Sequence, residues 1–393
     1  MHDTFERLYS RLGGIRDSIL SDAIMFNQFT SETRAKQPEQ EFITRKLEEL
    51  NIDDYEVDEA GNVSVHLNTT RDLIEKSLLL FVQIHRNKFS IADRFIELSA
   101  ERAYGAGIAE SALAASVLIN LLHLLRSAAP PSGADIIFLF SPAPEHEGRF
   151  SALESFVERH QHHLAAAVEV NGIALGEIGY RSVGEYTLDI RSRTPLMEWS
   201  DTIKQIDAVS AMDVLTELAS RLKSIGWPGK SGVFINIANL TSNMKLHKIP
   251  NKAMMRLDIM AHDNSYLDFA KNVVDATVAK LSKELKTVIE MKEVMHIPSN
   301  TMMENHPFLQ KAIETFKVNN VRTKLGLIND EATVLLSRGI PCISTGVTRG
   351  EVALEEEYIE IQPLESGLKV LTSLIAVTQL YMSERKEDGT DEG

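Results

Sequence analysis

An almost continuous apolar run decides the fold: Leu78-Leu79-Leu80-Phe81-Val82-Gln83-Ile84, which ends directly at His85. Continuous rather than alternating hydrophobicity is typical of a parallel strand that is buried on both faces. Two similar runs, Ile136 to Phe140 and Ala165 to Val170, follow after segments with helical spacing. Strands that alternate with helices in this way predict a parallel sheet with crossover connections, and therefore an α/β domain.

The hydrophobic pattern changes near residue 184 and changes back after about residue 295. Tyr186-Thr187-Leu188-Asp189-Ile190 alternates polar and apolar residues, which is typical of a sheet with one solvated face. Strands and helices then follow in the order β-α-β-β-α-β, which predicts a ferredoxin-like unit. We therefore predict an α/β domain formed by residues 1–183 and 295–393, with an α+β domain inserted at 184–294.

Composition excludes several classes of protein. The 393 residues carry a formal net charge of −15, which argues against nucleic acid or an anionic membrane as the main partner. The single cysteine, Cys342, cannot form a disulfide framework or a thiolate zinc site by itself. The first residues lack the apolar segment of a signal peptide, and the stretch Leu113 to Leu125 is too short and too polar to span a bilayer. We expect a cytoplasmic protein.

Several short motifs follow one another along the chain. They are Asp58-x-x-Gly61-Asn62, His85-Arg86-Asn87, the segment Gly105 to Ala115, the segment Phe140 to Gly148, Glu169-Val170-Asn171-Gly172, the segment Pro195 to Trp199, Gly339-Ile340-Pro341 and Glu356-Glu357-Tyr358. In this order and spacing, the chain resembles a degenerate member of the two-zinc metallopeptidase family of peptidase T, aminoacylase and glutamate carboxypeptidase, the M20 family.

The resemblance implies a zinc-exopeptidase-like α/β/α catalytic domain, with the inserted domain as a ferredoxin-like lid that also mediates dimerisation. Members of the family bind two zinc ions with a carboxylate and a hydroxide between them. Two dications about 3.5 Å apart repel by about 19 kcal/mol at an effective dielectric constant of about 20, so anions between them are essential. Ungapped alignment puts the bridging Asp at Ile108, which has no lone pair to offer. A shifted alignment offers Glu110 instead.

The paired carboxylates of the family, a general base and a metal ligand, are also altered. Ungapped alignment from Phe140 places the base at Pro144 and the ligand at Glu145. A shifted alignment places His146 at the base position and uses Glu147 as the ligand. Neither alignment provides two adjacent glutamates, and proline cannot accept a proton.

The remaining positions of the family site are partly retained. His85 matches the first ligand, but the Asp that usually orients it is replaced by Asn87. Glu169 matches a later carboxylate ligand, whereas the final His ligand is replaced by Ala353. The substrate-contacting His of the lid is replaced by Met197, which cannot stabilise an oxyanion.

Three hypotheses for the function follow from this set of residues. His85, Glu169 and Glu145 (or Glu147) could form a hydrogen-bonded cluster without metal in a non-hydrolytic pseudoenzyme that binds a peptide-like or acyl-amino-acid ligand or a protein partner. The same three residues could instead hold one zinc ion in an amidohydrolase that acts on small peptides or acylated amino acids. A metal-free enzyme that reuses the cleft is the third hypothesis. The resemblance also implies a homodimer formed through the lid.

Overall fold

The computed structural model describes residues 2–32, 38–67, 76–85, 95–127, 135–143, 151–197, 209–227, 232–243, 248–328, 332–352 and 357–387. The chain divides into two compact units. The first unit comprises Met1–Arg181 and Thr301–Gly393, and the second comprises Ser182–Asn300. The second unit begins two residues before and ends six residues after the predicted insertion at 184–294, because its last strand continues to Ile297.

Most of the described helices and strands belong to the first unit. Its helices are α1 (His2–Glu32), α2 (Pro38–Glu49), α3 (Leu113–Ser127), α4 (Ser151–His160), α7 (Pro307–Val318), α8 (Thr333–Leu336) and α9 (Pro363–Glu387). Its strands are β1 (Tyr55–Val57), β2 (Val63–His66), β3 (Ser77–Ile84), β4 (Glu97–Leu98), β5 (Arg102–Tyr104), β6 (Asp135–Pro142), β7 (Leu164–Asn171), β8 (Glu177–Arg181), β13 (Lys324–Leu327), β14 (Cys342–Gly346), β15 (Gly350–Val352) and β16 (Glu357–Glu360). The second unit contains β9 (Gly184–Arg193), α5 (Ala211–Ser224), β10 (Phe234–Ser242), β11 (Lys252–Ala261), α6 (Asn264–Glu284) and β12 (Val288–Ile297).

An eight-stranded sheet forms the centre of the first unit, in the order β1-β2-β6-β3-β7-β14-β8-β13. Strand β3 lies in its middle, and every residue from Ser77 to Ile84 is buried. It pairs in parallel with both β6 and β7, with Leu78 opposite Ile136 and Ala166. The prediction of a buried parallel strand at Leu78–Ile84 is therefore confirmed, and the physical reason is that no face of this strand meets water.

Helix α3 is the most apolar helix of the unit and packs in the same core as β3. With the preceding turn it gives one stretch, Ile108–Ser127, that is long and apolar enough to cross a membrane. Within the described part of the chain it is the single such stretch, and 89% of its most apolar window is buried inside the protein. Burial of this degree is typical of the core helix of a soluble protein.

The motif Asp58-x-x-Gly61-Asn62 forms a self-contained turn between β1 and β2. The Asn62 backbone N–H donates to Asp58 Oδ1 over 2.9 Å, and its side-chain amide donates to Asp58 Oδ2 over 2.7 Å. Gly61 has a φ of 87°, a left-handed conformation that strongly favours glycine. The same Asn62 amide also donates to the carbonyl of Ala152 over 2.8 Å, which ties this turn to helix α4.

The second unit is a four-stranded antiparallel sheet in the order β10-β11-β9-β12, with α5 and α6 packed against it. Strand β11 alternates strictly between buried and half-buried residues along most of its length. Its buried residues face the core formed with Val214, Leu218 and Val274 of the helices. The chain order of strands and helices together with this sheet order confirms the predicted ferredoxin-like fold.

Candidate functional site

A cavity of about 460 Å³ lies in the first unit, beside the carboxyl ends of β3 and β7. Parallel strands end at the same edge of a sheet, and ligands of open α/β folds usually bind there. Six polar residues of the described part of the chain line the cavity, and these are Gln83, His85, Glu110, Ser111, Glu169 and Asn171. Its apolar wall comes from Val82, Ala109, Ala114, Val170, Ile173 and Val352. The volume is that of a site for a small ligand.

Glu169 is the most deeply buried carboxylate of this cavity, with an exposed fraction of 2%. It lies on β7, directly opposite Phe81 of β3 and Ser344 of β14. Burial raises the pKa of the neighbouring Cys342 thiol well above its ordinary value of 9.0, and the charge of Glu169 raises it further. Cys342 is therefore a protonated thiol, and it contributes no nucleophile to this site.

The opposite wall is formed by the turn that leads into α3. Gly105 and Gly107 have φ angles of 145° and 85°, which a residue with a side chain rarely adopts. Ile108–Ala112 then forms a kinked π-helical turn, because Glu110 has the non-helical angles φ −97° and ψ −138°. Turns with π-type hydrogen bonds are frequent at functional sites, and the kink re-aims one side chain. Here the re-aimed residue is Glu110, which lines the cavity.

Gly172 fixes the distance between the two walls. It follows β7, and a Cβ atom added to it would lie 2.3 Å from the carbonyl oxygen of Ala109 and 2.7 Å from that of Glu110. Only glycine permits so close an approach of two backbones. The contact holds the end of β7 against the π-helical turn, and so brings Glu169 and Glu110 to one cavity.

Glu357 holds the same turn from the other side. Its Oε2 accepts the backbone N–H of Gly107 over 2.7 Å, and its Oε1 accepts that of Ala109 over 2.8 Å. Burial raises the pKa of this carboxyl above its ordinary value of 4.5, while the two N–H donors lower it and the charge of Glu110 raises it. The motif Glu356-Glu357-Tyr358 does not by itself predict this role, because nothing in the local sequence indicates a hydrogen bond to a backbone 250 residues away.

The structure brings together three of the predicted metal ligands. His85, Glu110 and Glu169 all line the cavity, with His85 and Glu110 exposed and Glu169 buried. Ile108 takes a different position from the one that the ungapped alignment assigns to the bridging residue. It is fully buried in the core and is not among the lining residues, so the carboxylate of this segment that meets the cavity is Glu110.

The other predicted site residues are distributed differently. Met197 lies in the second unit, where it is half-buried and its carbonyl accepts the N–H of Ile249 over 3.2 Å. Six predicted positions fall outside the described residues, and these are Asn87, Pro144, Glu145, His146, Glu147 and Ala353. The predictions made for them stay predictions.

Comparison with known proteins shows which fold this is. No protein-family model matches the sequence, and no curated protein matches it significantly. Solved structures do. The aminopeptidase PepT from Bacillus cereus is 13% identical, with a TM-score of 0.71 over 92% of this chain and 98% of its own. A tripeptidase from Staphylococcus aureus is 14% identical, with a TM-score of 0.72 over 93% of this chain and 99% of its own. A dinuclear metal-binding peptidase of the M20 family from Bacillus subtilis is 13% identical, with a TM-score of 0.61 over 95% of this chain and 99% of its own.

This chain has the fold of the M20 peptidases. The predicted fold class, a peptidase-like α/β domain with an inserted ferredoxin-like α+β domain, is therefore confirmed. At 13–14% identity the M20 fold carries no activity with it, so the chemistry has to be judged from the residues present.

The M20 fold implies a pair of metal ions, and the described residues do not fit that pair. Within the described ranges, no three His, Cys, Asp or Glu side chains converge closely enough to hold a metal ion. The cavity does present one imidazole and two carboxylates, which are ligand types that zinc accepts.

Proposed function

We propose that this protein is a non-hydrolytic member of the M20 fold that uses its cavity to bind a small peptide-like or acyl-amino-acid ligand. The observation that supports it is that, among the described residues, no three His, Cys, Asp or Glu side chains converge closely enough to hold a metal ion. Without an anion between them, two dications about 3.5 Å apart repel by about 19 kcal/mol at an effective dielectric constant of about 20. A two-metal hydrolytic centre of the family's type is therefore disfavoured.

The cavity itself suits the proposed class of ligand. Its apolar residues offer a surface for an aliphatic side chain or an acyl chain. Gln83, Ser111 and Asn171 offer neutral hydrogen-bonding groups of the kind that recognise amides. The carboxylates of Glu110 and Glu169 favour a peptide-like ligand with a free ammonium group over an acyl-amino acid, which is an anion.

A second candidate is an amidohydrolase with a single zinc ion. It is favoured by one observation, which is that His85, Glu110 and Glu169 line the same cavity. One imidazole and two carboxylates with water at the fourth position form an accepted catalytic zinc site. In this alternative the three side chains, which do not converge on one point in this structure, would close around the ion when it binds, and the ion would lower the pKa of its bound water.

Metal analysis distinguishes the two proposals. The full chain, purified without chelator and dialysed against zinc, should contain well below one ion per chain by plasma mass spectrometry. It should also hydrolyse no member of a panel of dipeptides and N-acyl amino acids. One tightly bound zinc, together with hydrolysis that a chelator abolishes and zinc restores, would establish the amidohydrolase instead. Two bound ions per chain would overturn both proposals.

Matched variants test whether bound zinc lies in the cavity. If one zinc binds, Glu169→Gln and Glu110→Gln should each lower zinc affinity by at least about tenfold, because each removes a charged ligand. Glu97→Gln provides the control, since Glu97 is exposed on β4 and does not line the cavity. Equal zinc content in all three variants would mean that the metal binds elsewhere.

We also propose that the protein forms a homodimer through β10. Among the described residues this strand pairs with β11 alone, which leaves its other edge without a strand partner there. Ala238 lies at the bulge where β10 shifts register between Ile237 and Asn239, and it is exposed.

Light scattering after size exclusion should give about twice the chain mass of 43.9 kDa for the wild type. Ala238→Lys should shift the mass toward one chain, because lysine on an edge strand blocks pairing. A wild type that elutes as a single chain would refute the dimer.

A further inference from the structure

Three cationic side chains meet at one end of the second unit's sheet. A pocket of about 210 Å³ lies there, at the end of β9, the end of β10 and the start of β11. Arg191, Arg193 and Lys252 line it, together with the hydroxyl-bearing residues Thr241 and Ser242. All three cations are exposed, so a ligand from solvent can reach them.

The strand register places these cations against one another. Arg193 of β9 is directly opposite Lys252 of β11, and Arg191 lies two residues earlier on the same face of β9. Like charges directly opposite each other across an antiparallel pair are destabilising. The arrangement therefore favours an anion that neutralises both side chains.

The neighbouring carboxylates only partly neutralise this cluster. Asp189 is bound by Arg256, whose Nε donates to Oδ1 over 2.8 Å and whose Nη2 donates to Oδ2 over 3.1 Å. Arg191 reaches the same carboxylate at 3.9 Å, which is too long for a hydrogen bond.

Arg193 has a weak ion pair of its own. Its Nη2 lies 3.8 Å from Glu290 Oε2, and both side chains are more than half exposed, so this pair contributes little. Among the described residues no carboxylate lies within 4.0 Å of the Lys252 ammonium. Arg256 and Asp189 form one pair, so among the described residues Arg191, Arg193 and Lys252 face one further carboxylate, Glu290, which leaves a local charge of +2 in a chain of net charge −15.

Backbone hydrogen bonds hold the pocket in shape. The Asn243 N–H donates to the Lys252 carbonyl over 3.1 Å, and the Lys252 N–H donates to Asn243 Oδ1 over 2.8 Å. The Asn243 amide also donates to Asn251 Oδ1 over 2.8 Å. These bonds join the end of β10 to the start of β11, so the backbone of Lys252 is held in place before any ligand binds. Preorganisation of this type lowers the cost of binding.

We propose that this pocket, formed by Arg191, Arg193 and Lys252, binds the phosphoryl group of a small ligand. The planar guanidinium groups of the two arginines can each donate two parallel hydrogen bonds to phosphate oxygens, and the lysine adds a point charge. Thr241, opposite Met254 and therefore on the same face as the cations, brings a further hydroxyl donor. A phosphate dianion matches the excess of positive charge better than a single carboxylate does. The site lies in the second unit, and its existence does not depend on the function proposed for the cavity of the first unit.

Titration of the full chain with inorganic phosphate tests the proposal. Isothermal calorimetry at low ionic strength should show saturable binding of one phosphate per chain, weakened as sodium chloride is raised. Arg193→Gln and Lys252→Gln should each weaken phosphate binding by about tenfold, because each removes a charge-assisted hydrogen bond. Acetate, a monoanionic carboxylate, should bind at least about tenfold more weakly than phosphate.

The matched control is Lys280→Gln, which removes one positive charge from an exposed position on α6 of the same unit. It should leave phosphate binding unchanged. All of these substitutions are at exposed positions, so each variant should melt within a few degrees of the wild type. Absence of saturable phosphate binding would overturn the proposal. Equal affinity in Arg193→Gln, Lys252→Gln and Lys280→Gln would overturn it too, as would acetate binding as tight as phosphate binding.

Discussion

Replacing Glu357 by alanine should destabilise the first unit through the turn that leads into α3. The wild-type carboxylate accepts the backbone N–H of Gly107 over 2.7 Å and that of Ala109 over 2.8 Å. Alanine leaves both buried donors without an acceptor. A hydrogen bond to a charged group is worth about 1.5–3 kcal/mol, and relief of the buried charge offsets part of the loss of two such bonds. We expect the free energy of unfolding to fall by about 2–4 kcal/mol.

Urea denaturation followed by far-ultraviolet circular dichroism measures this loss. Glu351→Ala is the control, because Glu351 is an exposed residue of the neighbouring strand β15, and its free energy of unfolding should stay within about 0.5 kcal/mol of the wild type. Glu357→Gln should fall between the wild type and Glu357→Ala, since the amide keeps one acceptor oxygen. Hydrogen exchange should accelerate over the π-helical turn Ile108–Ala112 in Glu357→Ala.

The pH dependence of the free energy of unfolding supplies a further test of the role of Glu357. Burial raises the pKa of Glu357 above its ordinary value of 4.5, so the folded protein binds this proton more tightly than the unfolded chain does. The stability of the wild type relative to Glu357→Ala should therefore be greatest below pH 4.5 and decrease as pH rises through the raised pKa. If Glu357→Ala and Glu351→Ala unfold at the same urea concentration, the carboxylate does not hold the turn.

Three further substitutions test other parts of the first unit. The Asp135 carboxylate raises the pKa of His66 above its ordinary 6.5 through a hydrogen bond, so this pair stabilises the fold below pH 6.5 and the contribution is lost as pH rises through the raised pKa. Urea melts of His66→Gln from pH 6 to 9 should lack that fall, and an unchanged profile would exclude the pair as its source. Ile108→Asp should lower the free energy of unfolding by at least about 3 kcal/mol, because it buries an unpaired charge in the core. The new carboxylate would not reach the cavity, so zinc affinity should not increase. A gain of metal binding by mass spectrometry would contradict this. Gly172→Ala should cost about 1–3 kcal/mol in thermal melts, since its Cβ would lie 2.3 Å from the Ala109 oxygen, and a neutral result would show that the two walls move apart freely.

Much of the fold follows from hydrophobic patterns that depend only on residues close together in the sequence. The run Leu78–Ile84 predicted a buried parallel strand because seven successive residues with hardly a polar side chain cannot form a half-exposed strand. The alternation at Tyr186–Ile190 predicted a one-sided sheet for an equally local reason, the period of two along a strand. Helix α7 begins at a local signal of the same kind, since His306 caps the helix and Pro307 occupies its first turn.

The site was predictable only where residues directly follow such strands. His85 follows β3, and Glu169 lies at the carboxyl end of β7, so parallel pairing alone brings them to one edge. Glu110 remained one of two alternatives beside Ile108, because a π-helical turn changes which residue faces the cavity without changing the sequence pattern. The cation pocket of the second unit was not predicted, because Arg193 and Lys252 become neighbours only through the register of β9 and β11.

The sequence by itself determined the order of strands and helices, the inserted α+β unit and the two cavity residues at strand ends, since hydrophobic periodicity is a local property that burial enforces. Tertiary structure alone decided that Glu110 rather than Ile108 meets the cavity and that Glu357 holds the turn. It also decided that Arg191, Arg193 and Lys252 share a pocket. These features depend on contacts between residues that are far apart in the chain, such as Glu357 and Gly107. Only the folded backbone brings such residues together.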